Sequence, residues 1–386
     1  MDPLSGTFAS VGTSGLNVLE FAADYFYNSK GGILGGRMIE IVPLDNKQSP
    51  TETQLQFRRA VSEELRIIFQ GNSSAVANTL NQTISKHNRR NAGQEVLQIN
   101  YAAVDPILTN EECSFWHFRF DANVDQKVAG LVTQMSRDSS IKKVYMLNQN
   151  YAYGKSFQAA ARRIMAERTP GIELVGDELI VPFGKVQDFT PFIAKIKASG
   201  ADTILTGNWG PDLVRLVKFA AGANLPAQFY TIYGGLTSSV GGYGADAAKV
   251  TMKQINEFHE NHADIPADVS QFAMDYLGKY QDTWYSDRHR WVIDMLSAAM
   301  NKAGSSDAIP VGRALEGMTY QGPLGEVEMR ASGHQIQTQL MVSSLTKDYS
   351  HPISYKGKDF GLAFATDGVI SRADTTLPTT CDMKRP

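Results

Sequence analysis

The sequence lacks the features that mark several large classes of protein. No apolar stretch approaches the ~20 residues that cross a bilayer, so we do not expect an integral membrane protein. The 37 basic and 40 acidic residues give a formal net charge of -3. No Lys or Arg block forms the basic footprint that a polyanion requires, and we therefore predict that nucleic acid is not a partner.

Cysteine is also scarce, since Cys113 and Cys381 are the only two in 386 residues. Their separation is too long for a CxxC redox pair or a zinc knuckle. One long-range disulfide or two buried thiols remain as alternatives. We favour the disulfide, because Cys381 lies in a polar tail with little apolar surface of its own, and an oxidising compartment would permit the bond.

The motifs of common enzymes are missing as well. The chain has no GxxxxGK followed by Ser or Thr, no HExxH and no GxSxG. The glycine run at 31–36 lacks the dinucleotide-binding spacing and follows a helix instead of a strand. His259 and His262 stand three residues apart without a third ligand in view, which favours a solvated helix face over a metal site. We predict no catalytic residue, no metal and no cofactor.

Two lobes, each with its own core, are expected from the length of the chain. From Thr13 onward, helix-like and strand-like segments alternate in the manner of doubly wound parallel sheets, so the predicted class is α/β. Strands are predicted at 38–43, 66–69, 96–99, 143–147, 173–180, 203–205, 228–232, 325–329 and 337–344. The last ~40 residues lack helical periodicity and indicate an irregular arm.

A set of short motifs occurs in a fixed order along residues 3 to 345. They include Pro3-Leu4-Ser5-Gly6, Tyr153-Gly154, Ser199-Gly200-Ala201-Asp202, Gly322-Pro323-Leu324-Gly325 and Gly333-His334-Gln335. Each is weak alone, but together they resemble the branched-chain-amino-acid-type periplasmic binding proteins, which have the type I periplasmic binding fold. That family places a strand before the Pro-Leu-Ser-Gly loop, where this sequence has only Met1 and Asp2. We therefore expect that Met1 is not the true start and that any signal peptide has been removed.

The resemblance implies two doubly wound parallel-sheet lobes joined by a three-crossover hinge, with the ligand in the cleft between them. Carried onto this chain, lobe 1 comprises residues 1–120 and 253–325. Lobe 2 comprises residues 121–252 and 326–386, although the C-terminal tail can return to lobe 1.

Ligand-binding residues are expected on loops at the carboxyl ends of the strands, where helix N-termini present backbone N–H groups. In lobe 1 the candidates are Phe8, Val11, Asn72, Ser73, Ser74, Tyr101, Ala102 and Ala103. In lobe 2 they are Tyr151, Tyr153, Asn208, Trp209, Tyr233 and Gly234. Tyr153 and Trp209 are the strongest candidates, whereas Ser73 and Ser74 could simply cap a helix, and Tyr151 and Tyr233 could be packing residues.

The ligand itself is left open between two classes. The resemblance implies an acidic residue for the ammonium of an amino acid, but the corresponding loop reads Tyr233-Gly234-Gly235, and Val104 stands where a hydroxyl is expected. A buried ammonium without a counter-charge is costly. Either Asp105, Asp212 or another acid substitutes, or the ligand is a carboxylate with an aromatic or apolar body.

The predicted function is the solute-binding receptor of an ABC-type importer. It would be a periplasmic monomer that captures an amino acid or related small carboxylate and presents it to a membrane permease. The alternative is a ligand-sensing domain of a signalling system, which has the same fold. An amidase-like enzyme is disfavoured because no nucleophile motif is present.

Overall fold

The computed structural model describes residues 1–322 and 324–386. Its helices are α1 (Ala9–Phe26), α2 (Pro50–Ser62), α3 (Ser74–Asn88), α4 (Val124–Ser136), α5 (Ala152–Arg168), α6 (Thr190–Ser199), α7 (Gly210–Gly222), α8 (Thr237–Tyr243), α9 (Ala267–Tyr280), α10 (Arg288–Ala303), α11 (Ala308–Leu315) and α12 (Arg372–Thr375). Within the described ranges, no helix combines the length and apolarity needed to cross a membrane.

The strands occur in the same chain order. They are β1 (Ile67–Gln70), β2 (Leu97–Asn100), β3 (His117–Arg119), β4 (Lys143–Gln149), β5 (Glu173–Ile180), β6 (Thr203–Thr206), β7 (Gln228–Thr231), β8 (Met252–Asn256), β9 (Thr319–Gly322), β10 (Gly325–Met329), β11 (Ile336–Gln337), β12 (Leu340–Thr346), β13 (Ser354–Tyr355), β14 (Lys358–Asp359) and β15 (Ala363–Ile370). Strands and helices alternate as the sequence predicts.

The chain divides into two compact units. Unit 1 comprises Met1–Asn123, Asp287–Thr338 and Pro378–Pro386, and unit 2 comprises Val124–Ser286 and Gln339–Leu377. These boundaries differ from the predicted lobes. Residues 253–286 fall in unit 2 because β8 pairs with β7 and β12. Residues 326–338 fall in unit 1 because β10 pairs with β9 and β11.

Unit 1 contains a parallel sheet in the order β1-β2-β3. Helix α2 covers it from a well-formed N-terminus, where the Ser49 side chain accepts from the Glu52 N–H and Pro50 occupies the first turn. The core beneath includes Leu44, Phe57, Ile68, Leu80 and Ile84. The apolar residues of α2 and α3 therefore pack into one shared core.

The N-terminus of unit 1 departs from the sequence prediction. The expected strand at 38–43 is extended but has no strand ladder, and β1 is an edge strand. Cavities of about 80 and 260 Å³ lie between this segment and β1. The first residues join the two segments, since the Met1 ammonium donates to Phe69 O at 2.7 Å and Asp2 pairs with Asp45. The prediction of a strand is wrong because an apolar run becomes a strand only where a neighbour supplies hydrogen bonds.

Unit 2 is built on a larger sheet in the order β15-β12-β8-β7-β6-β4-β5. The strands from β5 to β8 run parallel, while β12 is antiparallel to both β8 and β15. Its core combines apolar residues of the strands with those of α6 and α7. The predicted irregular arm is wrong in part, because β15 belongs to this sheet. Its polar run Thr366, Asp367 and Gly368 lies on an edge strand and hides the strand pattern.

The C-terminal tail returns to unit 1. Cys113 and Cys381 form a disulfide. Beside it, Thr379 Oγ1 donates to Asn110 Oδ1 at 2.9 Å, and Arg385 Nε lies 2.6 Å from Glu316 Oε1. The polar tail is thus held by a covalent bond and by side-chain contacts instead of by apolar burial.

Candidate ligand-binding site

The carboxyl edge of the unit 2 sheet gathers the loops that the sequence singles out. Parallel strands end at the same edge, so the loops after β4, β6 and β7 are neighbours. These loops carry Tyr151, Trp209 and Tyr233, and α5 and α7 begin beside them. The predicted lobe 2 residues are therefore brought to one edge of one sheet.

Five aromatic side chains form a continuous row along this edge, which we call the aromatic row. Its ring-centroid distances are 6.1 Å from Tyr233 to Tyr153, 5.8 Å from Tyr153 to Tyr151, 4.4 Å from Tyr151 to Phe183 and 6.2 Å from Phe183 to Trp209. The indole N–H of Trp209 also donates to the Tyr151 hydroxyl at 2.8 Å. Tyr153, Trp209 and Tyr233 are buried, whereas Tyr151 and Phe183 are half-buried and keep part of their flat apolar surface accessible.

Phe183 is the member of the row that the sequence analysis missed. It follows Val181 and Pro182 in the loop after β5. Since β5 is parallel to β4, its carboxyl end lies at the same edge as the other candidate loops. That position is the signal that could have identified Phe183.

Tyr153 is anchored within unit 2. Its side chain is 2% exposed, and its hydroxyl donates to Gly207 O at 2.7 Å. A Cβ at residue 207 would meet the Tyr153 hydroxyl oxygen at 2.7 Å, which explains why glycine is needed there. The hydroxyl therefore fixes the ring, and any ligand contact would be made by the ring itself.

Asp212 is a buried carboxylate that joins three segments. Its Oδ2 accepts from Gln149 Nε2 at 3.0 Å and from the Gly184 N–H at 2.8 Å, while Oδ1 lies 3.7 Å from Arg215. Burial raises the pKa of Asp212, and these hydrogen bonds oppose that rise. The carboxylate is thus engaged in holding the loop, which disfavours it as the counter-charge of a ligand ammonium.

Two further polar side chains lie at or near this edge. Lys127, in the first turn of α4, is buried with its ammonium 5.1 Å from the centroid of the Tyr233 ring. Asn208 is fully buried, and among the described residues neither of its amide atoms has a hydrogen-bond partner.

Gly234 is needed for packing, because a Cβ there would meet Thr231 Oγ1 at 2.5 Å.

In unit 1, Asp2 accepts hydrogen bonds from predicted residues in the loops after β1 and β2. The Asp2 carboxylate accepts from the backbone and side-chain N–H groups of Asn72 at 2.8 and 2.7 Å, and from the Tyr101 hydroxyl. Burial and the neighbouring carboxylate raise the pKa of Tyr101 well above its usual value. Asn72 and Tyr101 are thus brought together, but their polar groups are already engaged.

The remaining unit 1 candidates differ in their surroundings. Ser73 precedes α3 with φ of 74° and makes no side-chain cap bond, whereas Ser74 Oγ accepts from the Asp105 N–H at 3.2 Å. The backbone N–H groups of Ala102 and Ala103 donate to Asn100 Oδ1. Phe8 is buried before α1, and Val11 is half-buried within it. Ligand contact by these residues stays a prediction.

Metal ligation has no support in the described ranges, where no group of three or more His, Cys, Asp or Glu side chains is gathered. The two histidines considered above lie in the loop after β8 and His259 is buried, so the expected solvated helix face is wrong. The Nε2 of His259 is 2.7 Å from Thr366 Oγ1, and burial lowers the pKa of His259 to about 4. A structural hydrogen bond therefore accounts for this ring.

Known proteins resemble the chain over nearly its whole length. A family model described as periplasmic binding protein matches residues 1–350. Leu/Ile/Val-binding protein homolog 4 of Brucella abortus is 31% identical over 100% of this chain and 92% of its own length. The crystal structure of the leucine-, isoleucine-, valine-, threonine- and alanine-binding protein of Brucella ovis has a TM-score of 0.87 at 28% identity, covering 100% of this chain and 98% of that one.

A more distant likeness concerns the fold alone. An ABC-transporter solute-binding protein from R. palustris, solved in complex with benzoate, has a TM-score of 0.77 at 18% identity and covers 96% of this chain and 94% of its own. The type I periplasmic binding fold expected from the sequence is confirmed. Because the matched relatives are binding proteins, this chain is a solute-binding protein and not an enzyme. The chain belongs to the periplasmic binding protein family, in the branched-chain-amino-acid-type group that its sequence motifs indicate.

Proposed function

We propose that this protein captures a small organic carboxylate with an aromatic body for import by an ABC transporter. The observation that carries the proposal is the aromatic row of unit 2. The five rings gather along one sheet edge, and the two half-buried members, Tyr151 and Phe183, offer apolar surface to a flat ligand. Lys127, in the first turn of α4, adds a buried positive charge beside the Tyr233 end of the row.

An amino acid is the rival ligand, since the Brucella relatives are named for aliphatic amino acids. Two features favour a ligand without an ammonium group. The loop at Tyr233 to Gly235 has no acid, and Asp212 is committed to Gly184 and Gln149. Burying an uncompensated ammonium would cost several kcal/mol. The benzoate complex of the R. palustris protein supports the proposal only as a precedent on the same fold.

Calorimetric titration with benzoate, 4-hydroxybenzoate, phenylalanine, leucine, isoleucine and valine tests the proposal. We expect saturable binding of an aromatic acid at least about tenfold tighter than that of leucine, a difference of about 1.4 kcal/mol. Trp209→Ala should weaken that binding at least about tenfold. The matched control is Trp116→Phe, at the amino end of β3 in unit 1, which should leave affinity unchanged. Tighter binding of leucine, or no binding across the panel, would contradict the proposal.

The proposal also covers the setting of the protein. We place it in the periplasm as a monomer that presents its ligand to a membrane permease. Light scattering coupled to gel filtration should give the 42.4 kDa of one chain. ATP-driven uptake by vesicles that contain the permease should require this protein, and uptake of equal rate without it would refute the assigned partner.

A further inference from the structure

Phe183 and Tyr151 differ from the other members of the aromatic row in their exposure. Tyr153, Trp209 and Tyr233 are buried, whereas these two are half-buried, and Phe183 lies on the loop after β5. One of its faces lies against Tyr151, with a centroid distance of 4.4 Å and an interplanar angle of 18°. The stack orders the Phe183 ring while part of its surface stays accessible.

The partners of Phe183 are themselves fixed. Trp209 lies 6.2 Å away, and its indole N–H donates to the hydroxyl of Tyr151 at 2.8 Å. This bond restrains the plane of the Tyr151 ring on which Phe183 stacks. The three side chains, Tyr151, Phe183 and Trp209, form what we call the ring clamp.

The backbone next to Phe183 is tied to the interior of unit 2. The Gly184 N–H donates to Asp212 Oδ2 at 2.8 Å, and the same oxygen accepts from Gln149 Nε2 on β4 at 3.0 Å. A buried charged acceptor makes a stronger hydrogen bond than a neutral one. Asp212 therefore positions the loop that carries Phe183 and restrains the position of its ring.

We propose that Phe183 is the specificity-determining residue of the ring clamp, selecting ligands with an aromatic ring over aliphatic ones, and that Asp212 is its positioning residue. This inference rests on the proposed function. Two aromatic rings in offset or edge-to-face contact attract each other by more than their buried area accounts for. An aliphatic ligand would bury a similar area against Phe183 without this additional attraction. An aliphatic residue at position 183 would keep most of the apolar contact area but would not provide an aromatic ring for stacking.

The test compares Phe183→Leu with wild type by calorimetric titration of benzoate and of leucine. We expect benzoate affinity to fall about tenfold, while leucine affinity changes less than about twofold. The matched control is Phe219→Leu, another half-buried phenylalanine of unit 2, near the C-terminal end of α7. It should change neither affinity. Circular dichroism and melting temperature verify that each variant is folded.

The positioning role is tested with Asp212→Asn and with the double variant. Asp212→Asn should lower the benzoate-to-leucine affinity ratio in the same direction as Phe183→Leu. In the double variant the two effects should be less than additive, because both act through one loop. A loss of affinity that is equal for both ligands would show a merely structural role and would overturn the assignment.

The outcomes separate this inference from the proposed function. If wild type binds benzoate and Phe183→Leu binds both ligands as wild type does, the specificity assignment is refuted while the function stands. If wild type binds no aromatic acid of the panel, the function itself fails.

Discussion

The parallel sheets of unit 1 and unit 2 are stabilised by different kinds of buried side chain. Unit 2 surrounds a wide sheet with a large apolar cluster that spans α6 and α7. In unit 1 the parallel sheet is β1-β2-β3, and much of its interior is polar: Asp2, Gln98, Asn100, His117 and Arg119 are all buried. Buried polar groups stabilise a fold only when their partners are in place. Removing one partner of a buried polar group in the unit 1 sheet should therefore cost far more than removing an exposed polar contact.

The same contrast applies to the candidate ligand loops. In unit 2 the loops carry the aromatic row, of which Tyr151 and Phe183 stay half-buried and keep part of their surface accessible. In unit 1 the loops after β1 and β2 direct their polar atoms back into the unit, toward Asp2 and Asn100. On the proposed function, the two units would contribute unequally, with selectivity arising mainly from unit 2.

Removing Arg119 should have the largest effect on stability. This side chain is fully buried, donates to Gln335 Oε1 and Asp105 O at 2.6 Å each, and also donates to Thr109. Arg119→Met would strand these acceptors and cost about 3 to 5 kcal/mol of unfolding free energy. Denaturant unfolding measures the loss, and hydrogen exchange should localise it to unit 1.

An arginine of unit 2 provides the control for that comparison. Arg163 is 55% exposed and lies 3.1 Å from Asp125. Arg163→Ala should cost less than about 1 kcal/mol, because exposed ion pairs contribute little. Equal losses in the two variants would show that the buried hydrogen bonds of Arg119 contribute no more than an exposed ion pair does.

Removing the disulfide should have the next largest effect. Cys113 and Cys381 are separated by 268 residues, so the bond restricts a long loop of the unfolded chain. Replacing both cysteines with serine should lower the unfolding free energy by about 2 to 4 kcal/mol. Faster hydrogen exchange is expected at the C-terminal tail and not in the sheet of unit 2. An unchanged unfolding midpoint would show that side-chain contacts alone hold the tail.

The sequence predicts those parts of the fold in which local pattern and final environment agree. The strands β1, β4, β6 and β7 each contain an apolar or β-branched run, β2 alternates apolar with polar residues, and all five appear within a residue or two of their predicted positions. The segment at 38–43 has the same pattern but no ladder partner, and β15 has a partner but a polar pattern. Whether a segment joins a sheet depends on strands that are distant in the sequence, and these cannot be identified from the local pattern of residues.

The candidate site follows the same rule. The order of strands and loops sufficed to bring Tyr151, Tyr153 and Trp209 to one edge. It did not reveal that the Tyr101 hydroxyl would bind Asp2, a residue 99 positions away, or that Phe183 would join the row. Those facts arise from tertiary contacts between side chains that no local motif links.

A buried carboxyl group of unit 2 should make the stability of the protein depend on pH. Glu260 has its Oε1 enclosed without a hydrogen-bond partner among the described residues. Burial raises its pKa from 4.5 to about 8, against the opposing effect of the Trp284 backbone N–H. The folded protein therefore binds more protons than the unfolded chain between these values. This stabilising contribution is full below about pH 4.5 and is lost as pH rises through about 8.

Glu260→Gln removes this titration and should flatten the pH dependence. We expect the melting temperature of wild type, relative to that of the variant, to fall between pH 5.5 and pH 9. Because both proteins keep His259, its own titration cancels from the difference. Glu167→Gln, at an exposed position on α5, should run parallel to wild type over the whole range. If Glu260→Gln also runs parallel, Glu260 is ionised in the folded protein, and unit 2 tolerates a buried charge as readily as unit 1 does.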